Sequence, residues 1–173
     1  MSIEIRPCGP EDADALALVA AATFLETYAG VIDGRDILFQ CGKVHTPQAY
    51  AKHLADPTRR LFLAEQAPGG APVGFILLSK PDLPVETGPD DVELTRIYLL
   101  HRHHGGGLGK RLMQTAVAAA REAGAKRLLL GVYSENEKAL AFYARNGFER
   151  VGTRIFHVGD NGYDDYILAK DLT

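Results

Sequence analysis

A chain of 173 residues, 46% of them hydrophobic, can bury one ordinary core and is short for two, so a single domain over residues 1–173 is expected. Nineteen Lys and Arg against 22 Asp and Glu give a formal net charge of -3, which excludes the basic footprint of a nucleic-acid or anionic-membrane binder. Cys8 and Cys41 have neither metal-knuckle spacing nor disulfide density, the start MSIEIRP has no basic leader before an apolar stretch, and no apolar run approaches about 18 residues, so a cytoplasmic protein with a small partner is expected.

Ser2 to Arg6 alternates and reads as a strand closed by Pro7 and Gly9. Pro10 opens a helix whose early acids Glu11, Asp12 and Asp14 suit a positive N-terminus, and Leu16, Val19, Thr23 and Phe24 keep helical spacing as far as Tyr28. Gly30 and Gly34 break it. A mobile segment is expected next, with one or two short helices between Asp33 and Ala55 and a turn at Asp56-Pro57-Thr58. Leu61 to Gln66 and Val73 to Ser79 read as an antiparallel hairpin around Pro68-Gly69-Gly70, and Asp90 to Leu99 as the next strand. Gly107 or Leu108 to Ala123 reads as a helix with Leu108, Leu112, Ala116, Ala119 and Ala123 on one stripe and Gly124 as its stop. Arg127 to Tyr133 is a buried strand, and Ser134-Glu-Asn-Glu137 a capping box for a helix from Glu135 to Asn146 that Gly147 ends. Phe148 to Val158 and Tyr163 to Ala169 close the chain as a hairpin around Gly159-Asp-Asn-Gly162. Hairpins at both ends around one strand-helix-strand unit exclude a uniformly doubly wound fold.

Residues 101–110, HRHHGGGLGK, raise the chemical question. A P-loop fails because His104 holds the early glycine position and Arg111 follows Gly109-Lys110 where a hydroxyl is required. A dinucleotide fingerprint from Gly105 fails because Lys110 replaces its third glycine. What survives is a strand end, a run of residues without Cβ that bares backbone N–H groups, and a helix start: a concave anion site fit for a pyrophosphate. His101, His103 and His104 have no matched Cys or carboxylate spacing, so no metal is expected.

Two segments carry a resemblance. His104-Gly105-Gly106-Gly107-Leu108-Gly109, after a strand Leu94 to Leu100, lies on the loop motif Q/R-x-x-G-x-G/A, and Asn136-x-x-Ala139-x-x-Phe142-Tyr143-x-x-x-Gly147-Phe148 matches N-x-x-A-x-x-F-Y-x-x-x-G-F. With the element order over residues 2–170, the chain resembles the GCN5-related N-acetyltransferase (GNAT) family. His104 departs from the usual Gln or Arg, and Gly106 stands where a basic or polar residue is usual. The resemblance implies a mixed α+β, single-domain GNAT-like fold: a central, mostly antiparallel sheet of about seven strands with a parallel splayed pair in its middle, flanked by helices. It implies acetyl-CoA as co-substrate and no metal. The donor would be held by His104, Gly105, Gly106, Gly107, Leu108, Gly109 and Lys110, mostly through backbone N–H groups, by the main chain of Ile97 and Leu99, and by Asn136, Tyr143 and Arg145. Thr27-Tyr28, Glu93 to Tyr98 and Asp165 to Leu172 further resemble the polyamine-type bacterial members.

Acetyl transfer to an amine meets a protonation problem, since an alkylamine of pKa about 10.4 is disfavoured as free base at pH 7 by roughly 4.6 kcal/mol. The resemblance places Glu93 beneath the acetyl position, so Glu93 is the expected base, acting through water because an ordinary glutamate is weak. Tyr143 is the expected acid for the leaving thiolate. Asn136 and Tyr143, seven apart, fall on one helix face. The expected acceptor is a small amine or polyamine, or a peptide amine, attacking directly in a ternary complex. A non-catalytic acyl-CoA-binding sensor or regulatory module and an O-acetyltransferase stay open, as does a homodimer. Ala29 to Ala55 and Lys80 to Gly88, the least patterned stretches, are where acceptor choice is expected to reside.

Overall fold

The computed structural model describes residues 2–173, leaving Met1 outside. Its strands are β1 (Ile3–Pro7), β2 (Arg60–Gln66), β3 (Ala71–Ser79), β4 (Asp91–Leu99), β5 (Arg127–Tyr133), β6 (Glu149–Val158) and β7 (Asn161–Asp171). The helices are α1 (Ala13–Tyr28), α2 (Gly34–Lys43), α3 (Pro47–Ala55), α4 (Leu108–Glu122) and α5 (Glu137–Arg145). All seven strands form one sheet in the order β1-β2-β3-β4-β5-β7-β6. Every neighbouring pair is antiparallel except β4 and β5, which run parallel.

The middle strands are apolar on both faces because both faces are covered. On β2 and β3, Phe62, Ala64, Val73, Ile76 and Leu78 join a core with α4, while Leu61, Leu63, Phe75 and Leu77 join a second core with α1 and Tyr50. Period-two alternation thus feeds two hydrophobic layers. Helix α1 buries Leu16, Ala17, Val19 and Ala20 against one face. Helix α4 buries Leu108, Leu112, Met113, Ala116, Ala119 and Ala120 against the other. Ala123, expected on that stripe, is exposed: the helix ends at Glu122, and Met113 and Ala120 complete the buried face. A fully buried Leu such as Leu112 contributes about 1.5–3 kcal/mol relative to exposure.

Carboxyl or amide groups pin several starts, among them Asp33, whose Oδ1 accepts from Arg35 N at 2.8 Å at α2. Asp12 accepts from Gly9 N at 2.8 Å and from Arg6 at 2.8 and 2.9 Å, and Arg6 also reaches Glu65 on β2. The Arg6 hydrogen bonds hold the Asp12 carboxyl below the usual carboxylate range. At α5 the cap is Asn136, whose Oδ1 accepts from Ala139 N at 3.2 Å, and not Ser134. Ser134 N still donates to Asp164 O at 2.9 Å, so the chain remains tied to β7 there and the helix begins only after Glu135. The last hairpin turns on Gly159 and Asp160, with Val158 opposite Asn161, so β7 begins two residues before the expected Tyr163. Among the described residues no helix is long and apolar enough to cross a membrane.

Candidate active site

β4 and β5 pair only from Asp91 opposite Arg127 to Glu93 opposite Leu129. Beyond Glu93 they separate. β3 still holds the other edge of β4 as far as Leu99, and β7 holds the other edge of β5 as far as Tyr133, so a wedge opens in mid-sheet with unpaired main chain on both sides. A bulge decides what lines it. The register passes from Leu78 opposite Leu94 to Leu77 opposite Arg96, leaving Thr95 as the surplus residue. Regular alternation would put Glu93 and Arg96 on opposite faces; the extra residue puts both on the α1 face, while Leu94, Ile97 and Leu99 pack toward α4.

At the top of β4 the chain makes a 3-10 turn, His101–His103, then Gly105 and Gly107 adopt φ of 80° and 88°, where glycine is favoured. Among the described residues, no protein acceptor meets the N–H groups of Gly105 to Lys110; main-chain bonding resumes with Arg111 N to Gly107 O at 3.1 Å. Six open N–H groups at the start of a 15-residue helix make a strong anion cradle. A Cβ on Gly109 would sit 3.4 Å from the Phe142 ring, an ordinary contact distance, so α4 begins close against α5. His104 Nε2 lies 3.2 Å from Leu99 O, and burial pushes its pKa down, so it is neutral at pH 7 and donates as the Nε2–H tautomer. Arg102, His103 and Arg111 border a concavity of about 410 Å³ beside the loop.

On the other side of β4 lies a cavity of about 340 Å³ walled by α1, α3, β4, β5 and β6. Glu93 lines it, 5% exposed, with Oε1 accepting from Asp82 N at 2.9 Å. A side chain on Gly131 would run into the Arg154 guanidinium, which crosses β5 there to donate to Asp165 at 3.0 Å. Arg96 Nη1 donates to the Tyr50 hydroxyl at 3.0 Å, and that oxygen is 3.0 Å from His45 Nδ1. A buried hydroxyl proton needs an acceptor, and Nδ1 is the one in reach, so Tyr50 donates to His45 and the imidazole proton sits on Nε2. His45 is 6% exposed and among the described residues Nε2 meets no partner, an unmet donor costing about 1–3 kcal/mol. Burial, reinforced by Arg96, pushes His45 down to about 3 and His53 down to about 4.

A cleft with an amide cradle on one side and a carboxylate-lined cavity on the other matches what is known of other chains. The sequence fits the acetyltransferase (GNAT) family over residues 32–148. An uncharacterised N-acetyltransferase of Mycobacterium tuberculosis is 35% identical over 161 residues, 93% of this chain and 98% of that one. The chain belongs to the acetyltransferase (GNAT) family. As a GNAT protein it is an N-acetyltransferase. A spermidine N1-acetyltransferase of Thermoplasma acidophilum is 27% identical, each chain covered to 98%. The PaiA N-acetyltransferase of the same organism, solved in complex with coenzyme A, superposes with a TM-score of 0.81 at 25% identity over 99% of both chains.

Within this GNAT fold the expected residues fall into three groups. Gly105 to Lys110 form the cradle, with His104 at its rim. Ile97 and Leu99 stand on the unpaired stretch of β4. Asn136 caps α5, which spends its Oδ1 and leaves its NH2 group; Tyr143, 9% exposed, packs between Phe142 and Phe148 on that helix, with its phenol held above the usual range by burial; Arg145 is exposed at the helix end. Sequence reading missed His45, Tyr50, His53, Arg59 and Arg96. Tyr50 and His53, three apart on α3, carried a weak helical signal, but nothing in the alternation of β4 announces the Thr95 bulge. Among the described residues no group of three or more His, Cys, Asp or Glu side chains is placed to hold a metal ion.

Proposed function

We propose that this enzyme transfers the acetyl group of acetyl-CoA to a primary amine, by direct attack while both are bound. The observation that carries this reading is the opening between β4 and β5, with the amide cradle of α4 at the top of β4 and the cavity lined by Glu93 on the other face. The N–H groups of Gly105 to Lys110 suit a pyrophosphate, the main chain at Ile97 and Leu99 that β5 leaves open, with His104 donating to Leu99 O, suits the amides of an extended arm, and the Asn136 NH2 group and Arg145 add donors along α5. A thioester bound there supplies the activated acetyl group.

Glu93 takes the ammonium proton through water, freeing the amine lone pair to form the C–N bond. As the C–S bond breaks, Tyr143 delivers its hydroxyl proton to the sulfur, and the second proton shed by the acylated nitrogen passes to solvent, from which the phenol is reprotonated. Its raised pKa keeps that proton in place until a thiolate develops. The spermidine acetyltransferase relative supports a small amine acceptor; a peptide amine fits the same chemistry.

The test is thiol release from acetyl-CoA over a panel of small amines and peptides at pH 7 and pH 9, with Glu93→Gln beside the wild type. Release should require an amine, rise with pH, and fall about 100-fold in kcat in Glu93→Gln while acetyl-CoA affinity is kept. Undiminished turnover in the variant would remove Glu93 from the mechanism.

A further inference from the structure

The acceptor cavity has more hydrogen-bond donors than acceptors at one end. Arg59 and Arg96 approach the two ring nitrogens of a single imidazole, His53: Arg59 Nη1 meets Nδ1, and Arg96 Nη1 lies 3.4 Å from Nε2. A neutral imidazole has one lone pair to offer, and taken by Arg59 it leaves Nε2 as an N–H facing the Arg96 guanidinium. Arg96 otherwise reaches only the Tyr50 hydroxyl, and among the described residues no carboxylate lies within ion-pairing distance of it. Arg59 pairs through Nε with Asp56 Oδ2 at 3.3 Å on the rim, while Thr58 holds Asp56 Oδ1, so the Nη1 edge of Arg59 is the part turned to His53. Beside them His45 Nε2 is a buried donor without a partner among the described residues. The positive field of Arg96 opposes protonation of both histidines, so they stay neutral donors at pH 7 rather than adding charge.

The cavity's acids lie elsewhere. Asp165 is already matched by Arg154, which leaves Glu93 as the buried carboxylate for a cation. An acceptor cationic at both ends would set one ammonium against two guanidinium groups.

We propose that the acceptor is an amine that also carries a carboxylate, an amino-acid-like molecule, with its amine at Glu93 and its carboxylate held by Arg96 and Arg59. The inference rests on the cavity being the acceptor site of the proposed reaction. It favours bidentate contact between a planar guanidinium and a carboxylate over recognition of a polyamine.

Matched acceptors test it: 4-aminobutyrate with butylamine, and lysine with lysinamide and 1,5-diaminopentane, each followed by thiol release from acetyl-CoA. The carboxylate-bearing member of each set should have the higher kcat/KM by about 10-fold or more, and Arg96→Gln should cut that ratio about 10- to 100-fold, chiefly through KM. Arg59→Gln, nearer the rim, gives the same direction with a smaller change and less risk to folding. Equal or better rates for the amines without carboxylate overturn the inference and leave amine acetylation standing. If no amine in the panel is acetylated although acetyl-CoA binds by calorimetry, the reaction itself is misassigned and the carboxylate site falls with it.

Discussion

From Gly105 to Lys110 the cleft presents six main-chain N–H groups, whereas across β4 it presents His45, His53, Arg59, Glu93 and Arg96, side chains drawn from distant stretches of the chain. The first half is local: ten consecutive residues contain the strand end, the glycines and the helix start. The second half is assembled by tertiary packing and by one bulge. A backbone site binds by shape and dipole and tolerates side-chain change, while a side-chain site sets selectivity and titrates. The two halves should therefore fail in different ways.

Tyr143, buried on α5, is the proposed proton donor, and Tyr143→Phe should have the largest effect on this contrast. We expect kcat to fall about 100-fold with little change in either KM, measured by steady-state thiol release at saturating acetyl-CoA. A loss expressed mainly as weaker acetyl-CoA binding would place Tyr143 in the backbone half as a packing residue.

The second prediction concerns pH. His45 is pushed from 6.5 to about 3 in the folded protein, so between those values the unfolded chain binds a proton that the folded chain does not. Its contribution is fully present above pH 6.5 and is lost as pH falls through that window, at up to about 1.4 kcal/mol per pH unit. Urea unfolding of the wild type and His45→Gln from pH 7 to 5 should converge on acidification. Parallel curves would mean that His45 titrates normally.

On the backbone half, Gly107→Ala meets no steric obstacle, because a Cβ there has nothing within 4 Å, but it must hold φ near 88°. Such strain costs about 1–2 kcal/mol, so acetyl-CoA affinity should drop about 10-fold while acceptor KM is unchanged, read by calorimetry and kinetics. Smallest of all is His104→Gln. The glutamine amide can replace the imidazole at Leu99 O, and acetyl-CoA Kd should move by less than about threefold. A larger tightening would show that His104 competes with the donor for that carbonyl.

The same division explains what the sequence disclosed. The cradle was legible because glycine spacing next to a strand end encodes it directly, and the hairpins and α4 were legible because both sheet faces and one helix face are buried with regular periods. The start of α5 was misread because Ser134 and Asn136 are both good caps, and only the bond from Ser134 N to Asp164 O, a contact 30 residues away, decides between them. Glu93 was reached through resemblance. Its neighbour Arg96 was missed because alternation puts it on the wrong face, and the register shift at Thr95 that corrects this is settled against β3. The two short helices between Asp33 and Ala55 were legible as elements, α2 and α3, but not their packing, which brings His45 and His53 to the cavity.

The short parallel pairing of β4 and β5 has one more consequence. Unpaired strand edges invite aggregation because another protein's strand can add to them, and proteins blunt or cover such edges. Here the bare edge lies inside the sheet, between two walls that meet at Glu93 and Leu129, with α4 and α5 closing one face. A strand from a folded neighbour brings its own sheet behind it, and here β4 and β5 already carry β3 and β7 on their outer edges. The exposed ladder is in effect sieved by size, kept sticky toward a single slender chain and closed to everything bulkier.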